Sequence, residues 1–131
     1  MRKIMYTTAK AIEILSADLN LASLDEHAQD WDLMVADIDR IDEFIDYYQN
    51  NGYHTNETLD DEVKFALMEV ILVSLDDSKR YGTFDRSAWS IVSEILTKEK
   101  ELHQSTIEYW ACLGIDAVEA FEITDLVREL L

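Results

Sequence analysis

The chain has 131 residues, with 28 Asp plus Glu against 11 Lys plus Arg, for a net charge of −17. With 48% hydrophobic residues, that length fills one core and is too short for two independent ones, so a single folded domain is expected and an acidic tail is not. The charge argues against a direct grip on DNA or RNA, because phosphate binding needs a basic face; it points to a cationic partner. No apolar run approaches the ~18–20 residues that span a bilayer, and the most apolar one, Val70 to Leu75, lies between Glu69 and Asp76. Arg2 and Lys3 imitate the start of a signal peptide, but Lys10 and Glu13 interrupt the apolar stretch such a peptide needs. One cysteine, Cys112, cannot form an internal disulfide, and a soluble protein of the reducing cytoplasm is expected.

Proline is absent and only Gly52, Gly82 and Gly114 break the hydrophobic period, so the reading is all-α with left-handed joints at the glycines. A first helix starts near Thr7 or Thr8 and carries Ile12, Leu15 and Leu19 on one side, before Leu24 closes the segment. A second, from about Asp30, has the clearest stripe: Trp31, Met34, Val35, Ile38, Ile41, Ile45 and Tyr48, ending at Asn50, Asn51 and Gly52. Tyr53 to Asn56 form a polar loop, and Thr58 caps a third helix over about Leu59 to Leu75, with Asp60, Asp61 and Glu62 in its first turn. That helix is apolar nearly all round in its second half, which predicts burial on most sides, with a buried strand as the weaker alternative. Asp85 caps a fourth helix carrying Trp89, Val92, Ile95 and Leu96. The charged run Lys98 to Glu101 bends into a fifth with Ile107, Trp110 and Leu113, and a short last helix follows Thr124. The expected architecture is a single-domain helical bundle or a short stack of helical hairpins, with five to seven helices.

Charge is concentrated. Residues 25–62 hold thirteen acids and one base, Arg40, which is −12 of the −17. On one continuous second helix, Asp32, Asp39, Glu43 and Asp46 fall within about 60° of each other, opposite the apolar stripe. A solvated face is the simple reading of such a ridge. Like charges three or four residues apart nevertheless cost a few tenths of a kcal/mol per pair, and a basic surface would relieve that repulsion. Tyr47 is expected beside the ridge and Tyr53 just beyond it, both as interface residues or partly buried rim residues, while Tyr48 faces the core. The candidate partner-binding set is therefore Asp32, Asp39, Glu43, Asp46, Tyr47, Tyr53, Asp60 and Asp61.

Chemistry has no visible seat. A calcium loop aligned on Gly52 fails at Tyr47, Gln49 and Thr58, and a di-iron Glu-x-x-His pair fails at Lys100 before His103 and Asn51 before His54. Neither a nucleophile elbow, a phosphate-cradling glycine loop nor zinc spacing is present. Cys112, on an expected apolar helical face after Tyr109 and Trp110, reads as a small buried thiol. Trp31, Trp89 and Trp110 read as core. No cofactor, metal or catalytic residue is expected.

The acid-rich segment ending Ile45-Asp46-Tyr47-Tyr48, with the stretch Leu102 to Trp110 and Phe121-Glu122-Ile123-Thr124, resembles the small acidic helical immunity proteins that bacteria make beside secreted or contact-delivered toxins. Asp46, Tyr47 and Tyr48 are similar to the tyrosine-bearing recognition segment of colicin nuclease immunity proteins, although this chain is longer and lacks the prolines and glycines of that segment. The C-terminal stretch looks more like the immunity proteins of contact-dependent growth inhibition systems. The resemblance covers about a third of the chain and implies a stoichiometric inhibitor of a cationic toxin domain, an RNase or DNase. A DNA-mimic-like inhibitor of a nucleic-acid-binding protein is the alternative; it would need carboxylates spread over a long surface.

Overall fold

In a computed structural model the described residues are 7–21, 31–50, 61–116 and 120–131. They form seven helices: α1 (Ala9–Leu19), α2 (Trp31–Val35), α3 (Ile41–Gln49), α4 (Asp61–Arg80), α5 (Arg86–Lys98), α6 (Lys100–Ala111) and α7 (Thr124–Arg128). No strand occurs among the described residues, so the strand alternative for the third predicted helix is set aside. Contacts divide the chain into two compact units, residues 1–74 and 75–131, with the border inside α4.

In the first unit, Thr8 caps α1 as expected, its Oγ1 accepting from the Ala11 N–H at 3.2 Å. Asn20 closes α1 in the left-handed conformation (φ 55°), and the Leu21 N–H reaches back to the Ser16 carbonyl at 3.1 Å. Ile12, Leu15 and Leu19 are buried. The single second helix of the sequence reading is two helices, α2 and α3, because residues 36–40 leave the helical path. Asp37 supplies the competing hydrogen bonds: its Oδ1 accepts from the Asp39 N–H at 2.9 Å and its carbonyl from the Arg40 N–H at 3.1 Å. Its own N–H is taken by Ser74 Oγ of α4 at 3.0 Å. The Ser74 hydroxyl, itself buried, donates to the Val70 carbonyl at 2.8 Å. Trp31, Val35, Ile41, Ile45 and Tyr48 of the predicted stripe are buried, but Met34 is 60% exposed and Ile38 half-buried, since the break changes the phase of the stripe.

The predicted third helix is α4, and within the first unit Val63, Phe65 to Met68 and Val70 to Val73 are all buried, as its all-round apolar pattern requires. It runs on past Leu75 to Arg80, where Gly82 (φ 80°) ends it. The Thr83 N–H bonds to the Ser78 carbonyl at 2.8 Å and the Gly82 N–H to the Lys79 carbonyl at 3.3 Å, a Schellman closure that only a residue tolerant of positive φ completes cheaply.

In the second unit, Asp85 caps α5 by accepting from the Ser87 N–H at 2.9 Å. The chain bends at Glu99 into α6, and Trp89, Val92, Leu96, Ile107 and Trp110 are buried. The expectation that all three tryptophans are core holds, Trp31 included. Burial fails for Leu113, which is exposed, and for Cys112, which is not on a helical face. Cys112 is the half-buried left-handed cap of α6 (φ 47°), its Sγ 3.5 Å from the Tyr109 carbonyl.

Charged side chains tie the end of this unit to backbone. Asp76, 4% exposed, accepts from the Ile123 N–H at 3.0 Å and lies 3.3 Å from Arg80. Thr124 Oγ1 donates to the Trp110 carbonyl at 2.8 Å and accepts from the Phe121 N–H at 3.1 Å. Arg128 of α7 donates to the carbonyls of Ala111 (2.7 Å), Cys112 (2.8 Å) and Ile115 (2.5 Å), bonding acceptors at the end of α6 and in the turn that follows it.

Candidate functional site

The acidic residues that sequence reasoning gathered on one helix do not share one. Asp32 lies on α2, where its Oδ1 accepts from the Leu33 N–H at 2.9 Å; Asp39 lies in the turn; Glu43 and Asp46 lie on α3. The four-carboxylate ridge is therefore corrected to a shorter face on α3. Tyr53 and Asp60 lie outside the described residues, and Asp61 is exposed in the first turn of α4.

The surface of α3 is set by its nine residues. Ile41, Phe44, Ile45, Tyr47 and Tyr48 are buried, and Asp42, Glu43 and Asp46 are exposed. At 100° per residue the buried set spans close to half the circumference, and the three carboxylates fill the other side. Asp42 and Glu43 sit in the first turn, where the positive end of the helix dipole favours them. Asp42 and Asp46 are four residues apart, a like-charge pair.

Tyr47 is corrected as well: it is 0% exposed, and its hydroxyl donates to Asp18 Oδ2 at 2.6 Å. The reason is Phe44. Counting Phe44 with the apolar stripe widens the buried arc to include its neighbour three residues on, and a hydroxyl can accompany that ring inside only when an acceptor such as Asp18 meets it. Phe44 was the signal that the stripe omitted. Tyr48 faces the core as expected.

Arg40, the one base of the acidic segment, is committed. It forms a fork with Glu43, Nε to Oε1 and Nη2 to Oε2 both at 2.8 Å, donates to the Leu19 carbonyl at 2.6 Å, and stands 5.3 Å from the centre of the Phe44 ring. The hydrogen bonds from Arg40 hold the Glu43 carboxyl below its ordinary range, partly opposed by desolvation. Glu43 is thus partly neutralised. Among the described residues neither Asp42 nor Asp46 has an ion-pair partner; Asp46 accepts one hydrogen bond from Asn50 Nδ2 at 2.8 Å. The anionic surface that α3 offers is carried chiefly by Asp42 and Asp46, with exposed Asp39 in the turn before them.

Among the described residues no group of three or more His, Cys, Asp or Glu side chains could hold a metal ion. Among them, too, no helix is long and apolar enough to cross a membrane. The arrangement on α3 is suited to binding a cationic surface: fixed carboxylates on a helix anchored by five buried side chains. Comparison with known proteins returns no match to any family model, curated protein or solved structure.

Proposed function

We propose that the protein is an immunity-type inhibitor, acting in the cytoplasm of the cell that makes it, which binds one cationic toxin domain, a nuclease by preference, in a stoichiometric complex. The carrying observation is the solvent-facing pair Asp42 and Asp46 on a helix whose other side is wholly buried, in a chain of net charge −17. Such a face keeps a self-repulsion that a basic partner relieves. It would also steer that partner in, with association rates raised ~10–10³-fold at low salt. The resemblance of Asp46 to a recognition segment supports the same reading, whereas Tyr47 and Tyr48 are withdrawn from contact with the partner because both rings are interior. The activity is occupation of the toxin, not turnover.

The test is capture from the producing cell's lysate on the immobilised protein at low and high salt, beside the variant Asp42→Lys with Asp46→Lys. A single basic protein, retained by the wild type at low salt, lost by the variant and toxic when expressed alone, is the expected result. Equal retention by both proteins would end the assignment of the face, and a set of unrelated nucleic-acid-binding proteins would replace the immunity reading with a DNA-mimic one.

A further inference from the structure

A second surface lies in the second unit where α6 ends. After Cys112 the chain turns through Leu113, Gly114 (φ 88°), Ile115 and Asp116, which with Arg128 line an open groove of about 630 Å³. Leu113 is 63% and Ile115 49% exposed. This loop is not a loose end, because Arg128 holds the Cys112 and Ile115 carbonyls at 2.8 and 2.5 Å, beside that of Ala111 at the end of α6. Two bulky apolar side chains are therefore presented to solvent on clamped backbone. A partner that covers them has little ordering entropy to overcome at this loop.

The charge around the groove says what kind of partner fits. Residues 100–131 contain seven acids and two bases, Lys100 and Arg128. Lys100 donates to the Leu130 carbonyl at 3.1 Å and Arg128 is spent on the carbonyl end of α6, where the helix dipole is negative, so both are poorly placed to attract an anion. Asp116 in the lining and Asp125 and Glu129 on either side of Arg128 in sequence are exposed. A second copy of the chain would bring another −17 to this surface, which opposes self-association.

We infer that the groove formed by Leu113, Gly114, Ile115, Asp116 and Arg128 is a docking site for a peptide segment of another protein that carries a bulky apolar side chain between lysines or arginines. The apolar side chain covers Leu113 and Ile115, and its basic neighbours face Asp116 in the lining.

The probe is a fluorescein-labelled twelve-residue peptide with one central leucine flanked by lysines, titrated into the full-length protein by anisotropy. A second peptide replaces that leucine with serine and keeps every lysine. Expected are binding of the leucine peptide, a loss of about fivefold or more with the serine peptide, and a similar loss for Leu113→Ser with Ile115→Ser. Because both replaced side chains are exposed, circular dichroism of that variant should match the wild type. In ¹⁵N spectra the Gly114 and Ile115 amides should shift with the leucine peptide. Equal binding of the two peptides, equal binding by the double serine variant, or loss on Asp42→Lys with Asp46→Lys alone would each overturn the site. A dimer in sedimentation that the double serine variant abolishes would overturn the choice of occupant. None of these readouts depends on finding a toxin, so failure of the immunity reading and failure of this site are separable.

Discussion

Asp42 and Asp46 on α3 and Asp76 and Arg128 of the second unit come from one acid-rich composition, yet they do opposite things. The first pair faces water on a helix that is anchored from its opposite, buried side. The second pair is turned toward backbone: Asp76 takes the Ile123 N–H, and Arg128 takes three carbonyls. A charge that satisfies buried or part-buried backbone is harder to replace, because its loss strands polar groups, whereas a fully exposed charge can be changed at little structural expense. Function is therefore easier to place on α3, and stability on the joint between α6 and α7.

The sharpest way to break this contrast is to show that the two regions respond alike. Trp31→Ala sets the upper scale: it empties a 0% exposed site on the five-residue α2 and should cost about 3–5 kcal/mol in denaturant unfolding. Arg128→Ala should cost about 2–3 kcal/mol by leaving the carbonyls at the end of α6 without their charged donor, and Arg128→Lys should recover only part of that. A cost below about 0.5 kcal/mol would mean that water replaces the guanidinium freely.

Titration gives a finer discrimination, because the two regions should show opposite slopes. Burial raises the Asp76 carboxyl above its ordinary 3.8, so the folded state binds that proton more tightly than the unfolded chain does. Its contribution is complete below the unfolded value and is lost as pH rises through the folded one. Measured against Asp76→Asn, the wild type should gain relative stability as pH falls toward 4. Arg40 lowers Glu43, whose contribution is present above the ordinary 4.5 and lost as pH falls through the folded value. Against Glu43→Gln the wild type should lose relative stability on acidification, by a small amount because the pair is exposed and screened. Parallel slopes would remove the distinction. Smallest of all, Asp42→Asn with Asp46→Asn should leave the melting temperature unchanged or raise stability by about 0.2–0.5 kcal/mol, while abolishing salt-dependent capture of a basic partner.

How far the fold can be read from the sequence depends on the range of the interaction. Thr8 and Asp85 announce their helices because the capping oxygen lies two or three residues from the N–H it accepts, and the apolar saturation of α4 announces its burial. Gly82 marks the end of α4 through the steric freedom that positive φ demands, whereas α6 is closed by Cys112 and Gly114 lies in the turn after it. The break at residues 36–40 is illegible as a pattern because hydrophobic period continues across it, and part of its cause lies thirty-seven residues away in Ser74. Tyr47 is misplaced by periodicity for a related reason: only Asp18, on another helix, makes an interior position acceptable for its hydroxyl. Of the α3 carboxylates Glu43 and Asp46 are legible as exposed, whereas Asp42 falls outside the ridge that a continuous helix predicts. The grouping of Glu43 and Asp46 with Asp32 and Asp39 assumes a continuous helix and falls with it.

The hydroxyl of Ser74 has a practical corollary for anyone wishing to imitate this protein with a fragment. A synthetic 31–49 peptide carries the whole periodic pattern but not the α4 oxygen that takes the Asp37 amide, so wherever it folds it is freer to wind straight through. Such a peptide would line up Asp32, Asp39, Glu43 and Asp46 in a row that the intact molecule never displays. It would be an unfaithful decoy, and a faithful one must bring α4 along.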